Sequence, residues 1–204
     1  MNKKKIQKAI KRIFDVLFSV FLLVTTFPLL LIAIAIIKIN SPEGPFLFKQ
    51  KRSGYKSRSF IIYKLRTMSN DRDKHGNYLK DEERLQNWGR IIRKTNIDEI
   101  PQMINILKGD MSLIGPRPVL LSDVKKFNSY QLRRQEAIPG ISGWEAVNEW
   151  KTPTWEKKFE YDIFYVDNFS LWLDLKIFFK TIYVILFSRR PDENYRPGRF
   201  EGER

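Results

Sequence analysis

Residues 16–37 read VLFSVFLLVTTFPLLLIAIAII, 22 positions without a charge. At about 1.5 Å per residue, a helix over this run matches a bilayer core of roughly 30 Å. Length alone describes a single spanning helix. Two features point elsewhere. Pro28 stands in the middle of the run, where it removes a backbone donor and crowds the preceding turn. Both flanks are also basic. Lys3, Lys4, Lys5, Lys8, Lys11 and Arg12 come before the run, and Lys38, Lys49, Lys51, Arg52, Lys56 and Arg58 follow it. Such charge stays on the cytoplasmic side of a membrane. Both flanks obey that rule only if the chain enters, turns and leaves by the same face. The sequence therefore predicts a re-entrant helix–break–helix anchor over residues 1–39. Thr25 and Thr26, just before Pro28, are placed to hydrogen-bond carbonyls freed at the bend. A straight span with the second basic cluster outside is the alternative. Ala33-Ile34-Ala35 resembles a signal-peptide cleavage triplet, but the run before it is long and Ile36-Ile37 follow at once, so the segment is read as retained.

The 204 residues carry 37 Lys+Arg against 23 Asp+Glu, a formal charge of +14, with no Cys and one His. Absence of cysteine excludes disulfides, Cys-ligated zinc, iron–sulfur clusters and thiolate catalysis. The single His75 excludes multi-histidine metal sites and makes a Ser-His-Asp triad a poor reading. Catalysis must run on carboxylates, Lys, Arg, Tyr, hydroxyls or an oxygen-held metal. The charge is uneven. Residues 1–60 hold 12 of the bases and only two acids, Asp15 and Glu43. A nucleic-acid binder spreads its basic face over the folded domain. Here the bases bracket an apolar run, so anionic lipid is the expected partner and nucleic acid is not.

The remaining sequence predicts an α+β fold, mostly helical. Phe46–Gln50 and Ser59–Tyr63 read as the strands of a β-hairpin around Ser53-Gly54. Residues 69–80 form a polar loop. Helices are expected at 81–94, with Leu85, Trp88, Ile91 and Ile92 at helical spacing, and at 97–107, about 122–135 and 154–166. Residues 109–118 read as a Gly/Pro-punctuated loop and Pro139-Gly140 as a turn. Ser170 caps a last helix, Leu171 to Phe187, apolar almost all round; it is either core or lies in a membrane interface. Residues 40–188 make the domain that follows the anchor, and 189–204 a charged, mobile tail.

Three elements carry candidate chemistry. Asp98-Glu99 are adjacent carboxylates opening a helical segment. Acids favour a first turn for structural reasons alone. The same helix start also attracts phosphate and keeps a carboxylate anionic and able to attack. Lys64-Leu65-Arg66-Thr67-Met68 ends the second strand, and alternation puts Lys64 and Arg66 on one face. Gly115-Pro116-Arg117-Pro118 stiffens a loop around one guanidinium, which lowers the entropy cost of presenting it to phosphate. Arg93 lies five residues before Asp98, near the end of the preceding helix.

The segment from Asp98-Glu99-Ile100-Pro101-Gln102 through Gly115-Pro116-Arg117-Pro118 closely resembles the signature of bacterial sugar transferases, the monotopic polyprenyl-phosphate phosphoglycosyl transferases. The resemblance also takes in the apolar N-terminus, Lys64 to Met68, Pro139-Gly140-Ile141-Ser142-Gly143-Trp144 and the last helix. It spans nearly the whole chain, as in the small members without added domains. It implies a re-entrant enzyme in the bacterial inner membrane, facing the cytoplasm. Such enzymes move a sugar-1-phosphate from a UDP-sugar to a polyprenyl phosphate such as undecaprenyl phosphate, require Mg²⁺ and release UMP, initiating capsule, O-antigen or glycoprotein glycan synthesis. The resemblance implies that Asp98 is the nucleophile forming a covalent phosphosugar intermediate. It implies that Glu99, with Asp98, holds Mg²⁺ or orients the site, and that Lys64, Arg93 and Arg117 contact phosphate.

Two departures stand out. The re-entrant break commonly carries Ser-Pro, and here it is Phe27-Pro28. After Gly143-Trp144 the family commonly reads Ala-Gln-Val-Asn-Gly, and here it is Glu145-Ala146-Val147-Asn148-Glu149. A non-catalytic membrane-anchored assembly protein of the same fold is the rival reading; the retained dyad and basic residues argue against it. A homodimer is compatible with the exposed apolar surface expected near a membrane.

Overall fold

The computed structural model describes residues 3–148, 154–187 and Phe200. Glu149 and the tail expected at 189–204, Phe200 apart, lie outside the described residues. A long helix, α1 (Lys3–Asn40), leads into the paired strands β1 (Leu47–Ser53) and β2 (Ser59–Leu65). Two short helices follow, α2 (Asp81–Arg84) and α3 (Asn87–Lys94), then a 3-10 turn at Ile97–Glu99 and α4 (Gln102–Lys108). Strand β3 (Ser112–Ile114) precedes α5 (Leu121–Val124), α6 (Ser129–Leu132) and a 3-10 turn at Arg133–Glu136. Strand β4 (Gly140–Ser142) is followed by α7 (Trp144–Asn148), α8 (Trp155–Asp167) and α9 (Leu171–Phe187). The mostly helical α+β composition and the hairpin are as the sequence predicts.

Helix α1 runs through Pro28 as one element, so the expected break does not divide it. Proline at position 28 deprives the carbonyl four residues back, Val24, of its donor. The threonine hydroxyls do not replace it. Thr25 Oγ1 donates to Phe21 O at 2.8 Å and Thr26 Oγ1 to Leu22 O, because a helical threonine reaches only the preceding turn. The most apolar stretch of α1 has a mean hydropathy of 2.9 and is mostly exposed. Phe21, Val24, Phe27 and Ile32 are each more than half exposed. A face of that size associates with a membrane.

Several expected helices are shorter than the periodicity predicts, and each has a local cause. The helix over 81–94 splits because Ser69 and Arg84 exchange two hydrogen bonds at 2.9 Å, drawing the Arg84 carbonyl out of the ladder. The helix over 97–107 is a 3-10 turn and then α4, because Pro101 has no N–H and Asn96 enters at φ 59°. The helix over 122–135 restarts at Asn128, whose side chain accepts from Gln131 N while Gln131 Oε1 accepts from Asn128 N. The loop at 109–118 and the turn at Pro139-Gly140 contain β3 and β4, which pair in parallel, Ser112 opposite Gly140 and Ile114 opposite Ser142. This pairing needs glycine. A Cβ on Gly140 would stand 2.1 Å from Gly115 N.

The chain forms two compact units. One comprises residues 17–50 and 61–105. Its core joins Ala33 and Ile37 of α1 to Leu65, Trp88 and Ile92; each of the Leu and Ile side chains contributes about 1.5–3 kcal/mol by leaving water. Buried Arg66 braces the turn after α1, donating to Ser41 Oγ, Ser41 O and Pro45 O at 2.6–2.9 Å. Lys64 and Arg66 therefore do not work as a pair. The strand ends at Leu65, alternation stops, and Arg66 is structural.

The other unit holds residues 1–16, 51–60 and the chain from 106 onward. Phe127, Trp155, Phe159 and Phe200 cluster edge to face. The first turns of α1 dock here. Lys11 Nζ bridges Asp174 Oδ2 at 2.8 Å and Ile114 O at 3.0 Å, Arg12 donates to the carbonyls of Ile106 and Leu107, and Asp15 accepts from Leu113 N. The Tyr165 hydroxyl donates to Asp174 Oδ1 at 2.7 Å; burial, then the charge of Asp174, pushes its ionisation well above the ordinary tyrosine range. Helix α9 starts as expected, with Leu173 N donating to Ser170 Oγ. One face buries Leu173, Asp174 and Ile177, while Trp172, Phe179, Tyr183 and Leu186 stay exposed. The helix is thus core on one side and exposed apolar surface on the other.

Candidate active site

In the unit of residues 17–50 and 61–105, the end of β2 is brought against the turn before α4. Asn105 is the fastener. It is fully buried, accepts from Tyr63 N at 3.1 Å and donates to Ile61 O at 2.7 Å. Its carboxamide therefore stands in for a neighbouring strand. Three residues along β2, Lys64 Nζ meets Glu99 Oε1 at 2.6 Å. Both side chains are partly buried, so the pair is screened less than a surface ion pair. Asp98, adjacent to Glu99, is only 8 % exposed. The 3-10 turn holding them is closed by Glu99 N donating to Asn96 O and Ile100 N to Ile97 O. A single turn of this kind is not the longer helix start of the sequence reading, so its dipole adds little. Charge around Asp98 and Glu99 is supplied by side chains instead.

Arg93 approaches from α3. Its Nε donates to Thr67 Oγ1 at 2.7 Å, tying the helix to the segment that follows β2. Close packing depends on Gly89, where a Cβ would fall 1.9 Å from Thr67 O. The structure thus assembles Lys64, Arg93, Asp98 and Glu99 within one unit. Asn105, Thr67 and Gly89 support them and were not singled out in the sequence. Periodicity is silent about a side chain that acts as a strand or a glycine that admits a carbonyl. Gln102, 2 % exposed, leaves its Nε2 without a partner.

Among the described residues no group of three or more His, Cys, Asp or Glu is placed to hold a metal. An all-protein cage is therefore not built. Asp98 and Glu99 do fit Mg²⁺, which takes one or two carboxylates and completes its shell with water and substrate phosphate. Glu99 would share its oxygens between Lys64 and the ion.

Arg117 belongs to the other unit. It is exposed between buried Pro116 and Pro118. Its carbonyl accepts from Arg134 Nη2 at 2.9 Å, and Arg134 is in turn paired with Asp162, both guanidinium and carboxylate being about 95 % buried. The loop is thus held by a buried ion pair as well as by its prolines. Glu145, at the position where the sequence departs from the familiar pattern, lies in the field of Lys158, Asp162, Arg117 and Arg134. Burial raises its proton affinity, and Lys158 opposes that most.

The family model described as bacterial sugar transferase matches residues 6–188. The chain belongs to this family. Among bacterial sugar transferases, it is 47% identical over 179 residues to an uncharacterized sugar transferase, EpsL, of Bacillus subtilis, covering 88% of each chain. It is 43% identical to a UDP-N-acetylgalactosamine-undecaprenyl-phosphate N-acetylgalactosaminephosphotransferase of Aeromonas hydrophila, covering 87% of this chain and 44% of that one. It is 36% identical to a UDP-glucose:undecaprenyl-phosphate glucose-1-phosphate transferase of Klebsiella pneumoniae, covering 87% and 40%. The chain therefore spans most of the Bacillus sugar transferase but less than half of the other two.

Proposed function

We propose that this sugar transferase moves a sugar-1-phosphate from a UDP-sugar to a polyprenyl phosphate. The observation that carries the reading is the buried Asp98 beside Glu99, whose carboxylate is gripped by Lys64. Family membership and the undecaprenyl-phosphate transferases among its relatives support the reaction class. An Asp98 oxygen attacks the phosphorus bearing the sugar, and the bridging P–O bond to UMP breaks, its electrons leaving with UMP. A phosphate oxygen of the polyprenyl phosphate then attacks the same phosphorus, and Asp98 departs as carboxylate. One site thereby serves a soluble donor and then a lipid acceptor. Lys64, Arg93 and Arg117 would stabilise phosphoryl charge. Mg²⁺, held by Glu99 and Asp98, would neutralise charge on the departing nucleotide.

The same reading places the chain on the cytoplasmic face of a bacterial inner membrane, with α1 entering and leaving by one side. The basic residues on both flanks of the apolar run support this. The basic flanks would meet anionic lipid.

UMP release from a panel of UDP-sugars, with undecaprenyl phosphate and Mg²⁺ in detergent, tests the reaction. Acceptor-dependent release with one sugar is expected, abolished in Asp98→Ala and Asp98→Asn. Turnover at the unsubstituted rate in either variant would remove Asp98 as nucleophile. Single cysteines at Lys5 and Lys56 should both label from the cytoplasmic side only, and labelling from opposite sides would leave a spanning helix.

A further inference from the structure

Helix α9 keeps one apolar face uncovered. Trp172, Phe179, Tyr183, Leu186 and Phe187 are each more than half exposed, while Leu173, Asp174 and Ile177 are buried on the other side. Within the same unit this face adjoins the start of α1. Phe14, itself nearly half exposed, meets Phe178 edge to face at 5.8 Å, one turn along α1 from the Lys11–Asp174 pair. An apolar helix face edged by lysines and aromatic rings has the composition of a helix lying in a membrane interface.

The edge of the face carries an unusual cluster. Lys176 and Lys180 stand one turn apart on α9 and seven positions before Tyr183 and Phe187, so the four share a side. Both ammoniums are drawn to a single ring. Lys176 Nζ lies 5.4 Å and Lys180 Nζ 5.1 Å from the centroid of the Trp144 indole. Trp144 is held in turn by Phe164, whose ring stacks on it at 5.6 Å. Lys180 Nζ also donates to Asn148 Oδ1 at 3.0 Å, which fixes its direction. Among the described residues neither ammonium pairs with a carboxylate.

The physical consequence is a concentrated positive charge. An indole face attracts a cation without neutralising it. Two like charges at this spacing repel and weaken their helix. An anion seated between them converts that cost into a gain, and an ammonium offers only donors to it. The ligand that satisfies both halves of the surface is an amphiphile, with an anionic head at the lysines and hydrocarbon along the apolar face. Bilayer phospholipid surrounds such a face at a concentration no minor lipid matches, so mass action favours it as the occupant. A zwitterionic head would bring its own cation against the lysines, which selects an anionic one.

We propose that Lys176, Lys180 and Trp144 form a headgroup site for an anionic glycerophospholipid, the lysines holding its phosphate oxygens and its acyl chains lying along Phe179, Tyr183 and Leu186. The site is a feature of α9 and stands whether or not the chain turns over a nucleotide sugar.

The test uses the full chain in neutral detergent, with dioleoyl phosphatidylglycerol as the probe and dioleoyl phosphatidylcholine as the control. Native mass spectrometry counts bound lipid across a titration. The unsubstituted chain should retain phosphatidylglycerol in preference to phosphatidylcholine. Lys176→Gln with Lys180→Gln should weaken phosphatidylglycerol about tenfold or more, as expected for losing hydrogen bonds from charged donors. Trp144→Leu, which keeps both charges and removes the ring that gathers them, should weaken it less. Lys3→Gln with Lys5→Gln removes the same charge from the start of α1 and should leave binding nearly unchanged. Thermal unfolding separates these effects from a folding defect: without lipid the α9 double variant should melt no lower than the unsubstituted chain, and added phosphatidylglycerol should raise only the latter. No preference for phosphatidylglycerol, or an equal loss in the Lys3/Lys5 variant, overturns the site. Displacement of phosphatidylglycerol by an equimolar amount of undecaprenyl phosphate would overturn the phospholipid assignment and make the occupant a polyprenyl lipid. A dimer of the unsubstituted chain that the α9 double variant abolishes would overturn it in favour of a second copy.

Discussion

Lys64 and Glu99, 35 positions apart, meet at 2.6 Å, Nζ to Oε1, and so one carboxylate of the Asp98-Glu99 dyad is held by a cation from the end of β2. If Glu99 divides its oxygens between Lys64 and Mg²⁺, removing the lysine slows the reaction while tightening the hold on the metal. Lys64→Met should lower kcat by about 10²-fold, the scale of one lost electrostatic donor. It should also lower the Mg²⁺ concentration needed for half-maximal rate, since Glu99 is released to the ion. A Mg²⁺ titration of UMP release on both proteins reads both effects, and an unchanged Mg²⁺ midpoint would separate Glu99 from the metal.

Asn105 bridges two backbone groups of β2, Tyr63 N and Ile61 O. Asn105→Ala leaves Tyr63 N and Ile61 O unpaired, at about 1–3 kcal/mol each when buried. The thermal midpoint in detergent should fall. Because the strand carries Lys64, kcat should fall beyond what partial unfolding explains. Asn105→Asp keeps the acceptor for Tyr63 N but buries a carboxylate against Ile61 O, so its defect should be at least as large as that of Asn105→Ala.

Gly89→Ala forces a methyl to within 1.9 Å of Thr67 O, backbone against backbone, with no flexible side chain to yield. Overpacking of this kind costs about 1–3 kcal/mol or more. Helix α3 must move away from the chain at Thr67, opening the 2.7 Å bond from Arg93. Activity should drop more than in Thr67→Ser, which retains the hydroxyl. Thermal unfolding and rate, measured together on the two variants, check this.

The loop of Arg117 depends on the Arg134–Asp162 pair. Arg134→Met strands a buried carboxylate and should destabilise by about 3–5 kcal/mol. Arg134→Lys keeps charge but cannot serve Asp162 and the Arg117 carbonyl through a planar fork, so it should fold while losing rate. A variant with full stability and full rate would show that the carbonyl contact does not position Arg117.

Glu145 binds its proton more tightly in the folded chain than its ordinary value of 4.5, because it is buried. Between that value and the raised one, the folded state holds more protons than the unfolded state. Its contribution to stability is therefore full below the ordinary glutamate range and is lost as pH rises through the raised folded value. Glu145→Gln should flatten the dependence of the melting temperature on pH in that window without lowering stability at neutral pH. A profile identical to that of the unsubstituted protein would show that Glu145 titrates normally.

The sequence and the structure diverge in instructive places. Ser170 and the hairpin were legible because caps and strand-forming residues around a turn are local signals, and so were α8 and α9. The β3–β4 pairing was not, since three-residue strands hidden among Gly and Pro carry no period; only the close approach of Gly115 and Gly140 explains those glycines. Helix lengths were overestimated wherever a distant partner, such as Ser69 for Arg84, took over a backbone group. Within the site, the individual residues were named through the family resemblance. The roles that rest on contact could not be named that way: Arg66 as a brace, Asn105 as a fastener and Thr67 as the partner of Arg93 require knowing which segments touch.

Removing helix α1 would take away the most apolar exposed stretch of the chain. Here Ala33 and Ile37 pack directly on Leu65, the residue next to Lys64. A protein begun at residue 40 would expose Leu65, Trp88 and Ile92 and slacken the strand that presents the lysine. Solubility and activity are therefore coupled engineering targets, and replacing the lipid-facing Phe21, Val24 and Phe27 is the safer route. Any displacement of the helix at Ala33 and Ile37 is applied one residue from the Lys64–Glu99 ion pair.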